Sequence, residues 1–273
     1  MRLRSETWLT MLLFAALLLG CKSAEKLAGN QSSNGTANTA ASRNSSNPDT
    51  NTVAQNDDGT IPSGTGTEKE KPAAGKGNVQ GKALFNEQPA VGVEVKLCLK
   101  FNRFMGGCSG ESFTTKTDDA GEYLIKNVPP GLYEGLTVKV FNTPYYVFAT
   151  SGYVAAAKYN IEADKTYFAP DTNLFKNDLK VVSPKMNAKL GPENVEVKWD
   201  AYPDAAYYKL SVYAETATGA EPPYDFIGRR VDELSIVIDK PLKAGGYYLR
   251  VDAYNESDHK LAQNGTDVKF TVK

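Results

Sequence analysis

From about residue 78 onward, apolar and polar residues alternate in short runs broken by turn residues. Val91, Val93, Val95, Leu97 and Leu99 fall on one face of a nine-residue stretch, which is the period of a half-buried strand. The same alternation puts Cys98 on the opposite face, away from the core. Residues 79–85 form a strand before it, connected through Asn86-Glu87-Gln88-Pro89. Phe113, Thr115 and Thr117 alternate up to Asp118-Asp119-Ala120-Gly121, a hairpin turn by its Asp and Gly content. Tyr123, Ile125 and Val128 follow, then Pro129-Pro130-Gly131, then a strand over residues 133–141. Strands this short, with turns this frequent and no helical period, predict a β-sandwich over 78–175.

A second series follows. Val195, Val197 and Trp199 share a face, as do Tyr208, Leu210, Val212 and Ala214. Ile236 and Ile238 mark a short strand, residues 247–255 a long one, and Val268, Phe270 and Val272 close the chain. With residues 179–183 and 226–229 this gives about seven strands, the number of an immunoglobulin-like sandwich, over 179–273. The expected fold class is all-β: two consecutive immunoglobulin/transthyretin-like β-sandwiches. In the second of them, Tyr207, Tyr213, Tyr248 and Tyr254 lie opposite the core residues, with Lys209 and Arg250. If strands 207–214 and 247–255 are neighbours, these side chains make an aromatic outer face. One reading is a docking surface for a glycan or protein, since Tyr and Arg are enriched at binding hot spots. The other is that cross-strand aromatic pairs stabilise an exposed sheet. Another aromatic cluster, Tyr145, Tyr146, Phe148, Tyr153 and Tyr159, is expected to be core.

The N-terminal region has neither pattern. After Arg2 and Arg4, residues 8–20 are apolar except for Thr10. At about 1.5 Å per residue that run is too short for a ~30 Å hydrocarbon core, so it reads as the apolar region of a signal peptide over 1–20. Leu18-Leu19-Gly20-Cys21 resembles the bacterial lipobox. The resemblance implies cleavage before Cys21 and lipid on its sulfur and new amino group; an ordinary secretory peptide with an incidental Cys21 is the alternative. Lys22, where Asp would retain a lipoprotein in the inner membrane of some bacteria, points to the outer membrane. Residues 28–67 contain only Val53 and Ile61 as large aliphatics, and no aromatic precedes Phe85 within the exported chain. Residues 21–77 are therefore expected to be a lipidated Cys and a disordered linker, typically spanning about 40 Å. Its Asn-x-Ser/Thr triplets read as composition rather than glycan sites.

Two further resemblances concern the folded units. Gly81-Lys82-Ala83, Val91-Gly92-Val93-Glu94-Val95, Thr117-Asp118-Asp119-Ala120-Gly121-Glu122-Tyr123 and Val128-Pro129-Pro130-Gly131-Leu132-Tyr133 are similar to the carboxypeptidase-regulatory-like domain. That family is a transthyretin-like sandwich used mostly as an accessory or spacer module, so no catalysis is implied. Ser183-Pro184, Trp199 with Pro203, Ala205-Ala206-Tyr207-Tyr208, and Leu242 with Gly245-Gly246-Tyr247 resemble fibronectin type III domains. This implies that Trp199 is the core Trp and that Tyr247 is a tyrosine-corner residue bonding back to backbone near Leu242. Ala244 stands where the family usually has Pro, and there is no Arg-Gly-Asp sequence.

Composition narrows the chemistry. The 31 Lys+Arg and 32 Asp+Glu give a net charge of −1, and removal of Arg2, Arg4 and Glu6 with residues 1–20 makes it −2. That balance argues against a nucleic-acid partner. The one histidine, His259, lies in Glu256-Ser257-Asp258-His259-Lys260, a polar turn unsuited to a triad. Cys98 and Cys108 bracket a short loop. A structural disulfide suits an exported protein, with a metal or redox pair as the alternative. Asp118, Asp119 and Glu122 offer oxygens for calcium but lack the EF-hand spacing, and turn preference explains them equally. No metal site and no cofactor is expected. The predicted function is that of a non-enzymatic, membrane-anchored envelope lipoprotein displaying two modules for binding, adhesion or assembly. The alternatives are a carbohydrate-binding accessory lipoprotein of a polysaccharide-uptake system and a passive structural spacer.

Overall fold

The computed structural model describes residues 55–102, 107–149, 157–215 and 226–273. The fold over these residues is all-β. Residues 1–20, Cys21, most of the linker and Tyr153 lie outside them.

The first ten strands are β1 (Gly77–Phe85), β2 (Gln88–Pro89), β3 (Glu94–Asn102), β4 (Gly107–Lys116), β5 (Glu122–Val128), β6 (Gly131–Lys139), β7 (Tyr146–Phe148), β8 (Lys158–Ile161), β9 (Thr166–Phe168) and β10 (Thr172–Asn173). One sheet gathers β2, β5, β9 and β10 around β1; the other is ordered β4-β3-β6, with β7 and β8 both on β6. Between them lies one apolar cluster that includes Val79, Val95, Leu97, Tyr123, Leu136, Val138 and Tyr159.

Two expectations fail in this unit. Val91 is 51% exposed because it lies in the turn before β3; Val93, Val95, Leu97 and Leu99 keep the core side, and Cys98 is fully buried without joining the apolar cluster. The strand carries register shifts at Leu97/Cys98 against β6 and at Cys98/Lys100 against β4. Gly135 is the extra residue on β6. It has φ +74°, and a Cβ there would sit 2.7 Å from the Phe101 ring. Glycine supplies both the backbone conformation and the space that this bulge requires.

The second failure is the linker boundary at residue 77. Residues 55–76 pack along the first sandwich. Ile61 is 3% exposed and belongs to its apolar cluster. The Ile61 N–H donates to the Lys158 carbonyl, and Tyr167 Oη donates to the Ile61 carbonyl. The Gly64 N–H donates to the Phe168 carbonyl, and Gln80 exchanges hydrogen bonds with Thr67 and Lys69. Lys69 pairs with Asp118 and Glu122, and Lys126 pairs with Glu70. Composition predicts disorder here because one buried Ile is a weak local feature. The strap is held by partners distant in sequence.

The remaining strands are β11 (Lys176–Leu179), β12 (Val181–Ser183), β13 (Ala188–Leu190), β14 (Val195–Trp199), β15 (Tyr207–Ala214), β16 (Arg229–Val231), β17 (Ser235–Ile238), β18 (Gly245–Tyr254), β19 (Lys260–Asn264) and β20 (Val268–Val272). One sheet is β12-β14-β17; the other is β11-β19-β18-β15-β16, with β20 on β18 and β13 on β20. Trp199, Leu210, Val212, Tyr247, Leu249 and Phe270 fill the space between them. This is an immunoglobulin-like β-sandwich. Its strand β16 begins at Arg229, later than the 226–229 expected.

The turn joining β1 to β2 reaches the second sandwich. Asn86 and Glu87 both have positive φ, 48° and 63°, as a tight hairpin turn requires. Asn86 donates to Asp204 Oδ2 at 3.0 Å and accepts from Asn255 Nδ2 at 2.9 Å. Lys176 lies over the rings of Phe85 and Phe141.

Candidate functional site

The outer face of β15 and β18 is set by their antiparallel register. Tyr207 is opposite Tyr254, Lys209 opposite Asp252, Ser211 opposite Arg250 and Tyr213 opposite Tyr248. Alternation places all of these on one side, opposite Tyr208, Leu210 and Val212 in the core. The register thus brings together two cross-strand tyrosine stacks, one at each end of the face.

The Tyr213–Tyr248 stack is half-buried. Its ring centroids are 4.9 Å apart and the planes 19° from parallel. Arg250 forks onto Asp267, with contacts of 3.1 and 3.2 Å. Burial alone would depress the Arg250 guanidinium, but Asp267, with Asp252 and Tyr213, makes the net shift upward. Lys269 Nζ pairs with Glu215 Oε1 at 3.1 Å. The Glu215 N–H also donates to the Gly246 carbonyl. A Cβ on Gly246 would meet Glu215 Oε2 at 2.5 Å, so glycine is what lets that carboxylate lie against the strand. Tyr213, Glu215, Tyr248, Arg250, Asp267 and Lys269 together line an open groove of about 390 Å³.

Tyr207 and Tyr254 do not belong to an exposed face. They are 3% and 0% exposed, which corrects their assignment as binding residues. They stack at 5.1 Å with planes 7° apart. Arg230 covers the Tyr207 ring at 3.8 Å and Lys209 covers the Tyr254 ring at 4.4 Å. Tyr207 Oη donates to Asp258 Oδ1 at 2.8 Å, where the turn after β18 folds back. Beside them Lys260 pairs with Asp252 at 2.6 Å, with side chains 9% and 7% exposed. Lys260 also donates to Gln263 and lies over Phe175, and Gln263 donates to Asn177. The chain joining the two sandwiches covers this end of the sheet.

The other candidates fall as follows. The structure links Cys98 to Cys108, Cα atoms 5.4 Å apart. Trp199 is 3% exposed in the second core, against Tyr208. Tyr247 Oη donates to the Lys243 carbonyl at 2.9 Å. Tyr133 does the same to the Pro129 carbonyl, a second corner in the first sandwich that the resemblance there did not flag. Both tyrosines lie four residues after their acceptor, a spacing that could have found the second. His259 closes the turn at Asn255 and faces Glu87 at 3.7 Å. Asp118 accepts from the N–H groups of Ala120 and Glu122. The Lys69 ammonium beside it holds its carboxyl below the usual range, so the oxygens weighed for calcium already serve an internal cation. No group of three or more metal-ligating side chains occurs among the described residues. Tyr159 is fully buried, whereas Tyr145 and Tyr146 are 46% and 43% exposed and so are not core.

No family model matches the chain, and no curated protein does. Solved structures similar to it include the FN1–FN3 domains of chicken CNTN1, at 18% identity and TM-score 0.27, covering 75% of this chain and 67% of that one. Fibronectin(III)-like modules of CbhA from Clostridium thermocellum match at 17% and 0.27, covering 74% and 91%. A candidate carbohydrate-binding protein from Bacteroides uniformis matches at 16% and 0.26, covering 72% and 99%.

Proposed function

We propose that the chain is a non-enzymatic envelope lipoprotein, exported, anchored through lipid on Cys21 and held in the outer membrane. Residues 22–54 space the sandwiches from the membrane. The first sandwich, with its carboxypeptidase-regulatory-like motifs, serves as a stalk, and the second presents a docking surface at Tyr213, Tyr248 and Arg250. The observation that carries the docking role is the split of the outer face: one tyrosine stack is closed off, whereas the other opens onto a groove. The non-enzymatic reading draws on His259, which is engaged in a turn. The spacer reading draws on Asn86, which bridges the two sandwiches.

Palmitate labelling of the full chain, with membrane fractionation of wild type and Cys21→Ser, tests the anchor. Label and membrane retention should both be lost in the variant; an unlabelled, soluble wild type ends that part of the proposal. Affinity capture from the native envelope with wild type and Tyr248→Ala tests the docking surface. A ligand retained equally by both, or none at all, leaves the spacer reading.

A further inference from the structure

We infer that the Tyr213–Tyr248 groove takes a stretch of an uncharged polysaccharide chain. This rests on the reading of that face as a docking surface and names its ligand.

Charge comes first. The groove carries two cations and two anions, and each is answered by a neighbour: Arg250 by Asp267, Lys269 by Glu215. The lining is therefore neutral overall, and an ionic ligand would compete with the partner already in place for its counter-charge. A hydroxyl breaks neither pair. The guanidinium has five N–H donors and the ammonium three, and each carboxylate has about four acceptor sites, so both pairs keep hydrogen-bonding capacity beyond their mutual contacts. Hydroxyl groups, which donate and accept, match a lining of alternating donors and acceptors.

The rings supply the second element. Each ring of the stack turns one face to its partner at 4.9 Å. In the other stack, the outer ring faces are covered by Arg230 and Lys209. No cation lies over Tyr213 or Tyr248 among the described residues, which leaves apolar ring surface for the C–H groups of a sugar ring. Cross-strand stacking and the forked Arg250–Asp267 contact fix these side chains beforehand, which lowers the ordering cost of binding.

Shape separates a glycan from the competing classes. The groove is open, as suits a chain passing through rather than a small molecule enclosed. An extended peptide would bind by adding a strand to a sheet edge. The groove lies on the face of β15, β18 and β20, which pair with one another beneath it, and not along a sheet edge. The charged walls oppose an apolar ligand.

Titration calorimetry on the full chain in detergent decides it. The probes are cellohexaose, xylohexaose, mannohexaose and laminarihexaose, with polygalacturonate as the acidic comparison. At least one neutral hexasaccharide should bind, with little change on raising the salt concentration. Tyr248→Ala should weaken it tenfold or more. Asp267→Asn, which keeps the shape, should weaken it several-fold, with the unfolding midpoint of each variant measured alongside. Binding to none of the four, preference for polygalacturonate, or affinity unchanged in both variants overturns the inference. A protein captured from the envelope and lost in Tyr248→Ala would preserve the docking surface while removing the polysaccharide.

Discussion

Tyr207–Tyr254 and Tyr213–Tyr248 stand on the same two strands, in the same cross-strand register and with the same stacked geometry. They differ in what lies over them. One is sealed by Arg230, Lys209, Asp258 and the chain between the sandwiches; the other faces the groove. The period of a strand decides which side of a sheet a residue occupies. It does not decide whether that side meets water, because the cover comes from elsewhere in the chain. One such stack is a packing element, and the other remains available to a ligand.

The two stacks should differ most in what they contribute to stability. Truncating the enclosed tyrosine, Tyr254→Ala, should cost roughly 3–5 kcal/mol, the range for emptying a buried aromatic site. Tyr248→Ala should cost less than about 1.5 kcal/mol, on the order of the stacking contact itself. Urea unfolding followed by the fluorescence of Trp199 reports on the second sandwich. Equal losses in the two variants would mean that the stacks are not energetically distinct.

The ion pairs beside the stacks repeat the contrast. Lys260–Asp252 has side chains 9% and 7% exposed, whereas Lys269–Glu215 has 61% and 39%. Lys260→Ala leaves a buried carboxylate without its closest cation and should cost about 3 kcal/mol. Lys269→Ala should cost less than about 1 kcal/mol, as exposed pairs do. The two midpoints, measured in low and high salt, check this. The loss in Lys269→Ala should shrink with salt, while that in Lys260→Ala should persist.

The same division runs through what the sequence made legible. Alternation located β14, β15, β18 and β20, and the fibronectin type III resemblance placed Trp199 in the core, because these features are local. The aromatic face was also legible as a face. Its coverage was not, since Arg230, Asp258 and Asn177 reach the tyrosine rows or their neighbours from other strands and turns. Val91 was misplaced because the alternating run starts before β3 does, and the turn at Val91-Gly92 is a property of the backbone. The strap was misread because Ile61 and Lys69 gain meaning only against Tyr167, Asp118 and Glu122. Asn86 looked like an ordinary connection, and its contacts with Asp204 and Asn255 lie far along the chain.

The finest distinction lies within the sealed stack. Tyr207 Oη donates to Asp258, whereas Tyr254 Oη is buried with no hydrogen-bond partner among the described residues. Removing a hydroxyl that bonds a carboxylate should cost about 1–2 kcal/mol, since hydrogen bonds to charged groups are the stronger ones. Removing a buried hydroxyl that bonds nothing removes a desolvation penalty instead. Tyr207→Phe should therefore lower the midpoint of the Trp199-reported transition, and Tyr254→Phe should leave it unchanged or raise it. Both variants keep the rings, so stacking and packing are held constant and the two hydroxyls are compared alone. If Tyr254→Phe destabilises the sandwich as much as Tyr207→Phe does, the Tyr254 hydroxyl has a partner, and the closed end of the sheet is wetter than its packing implies.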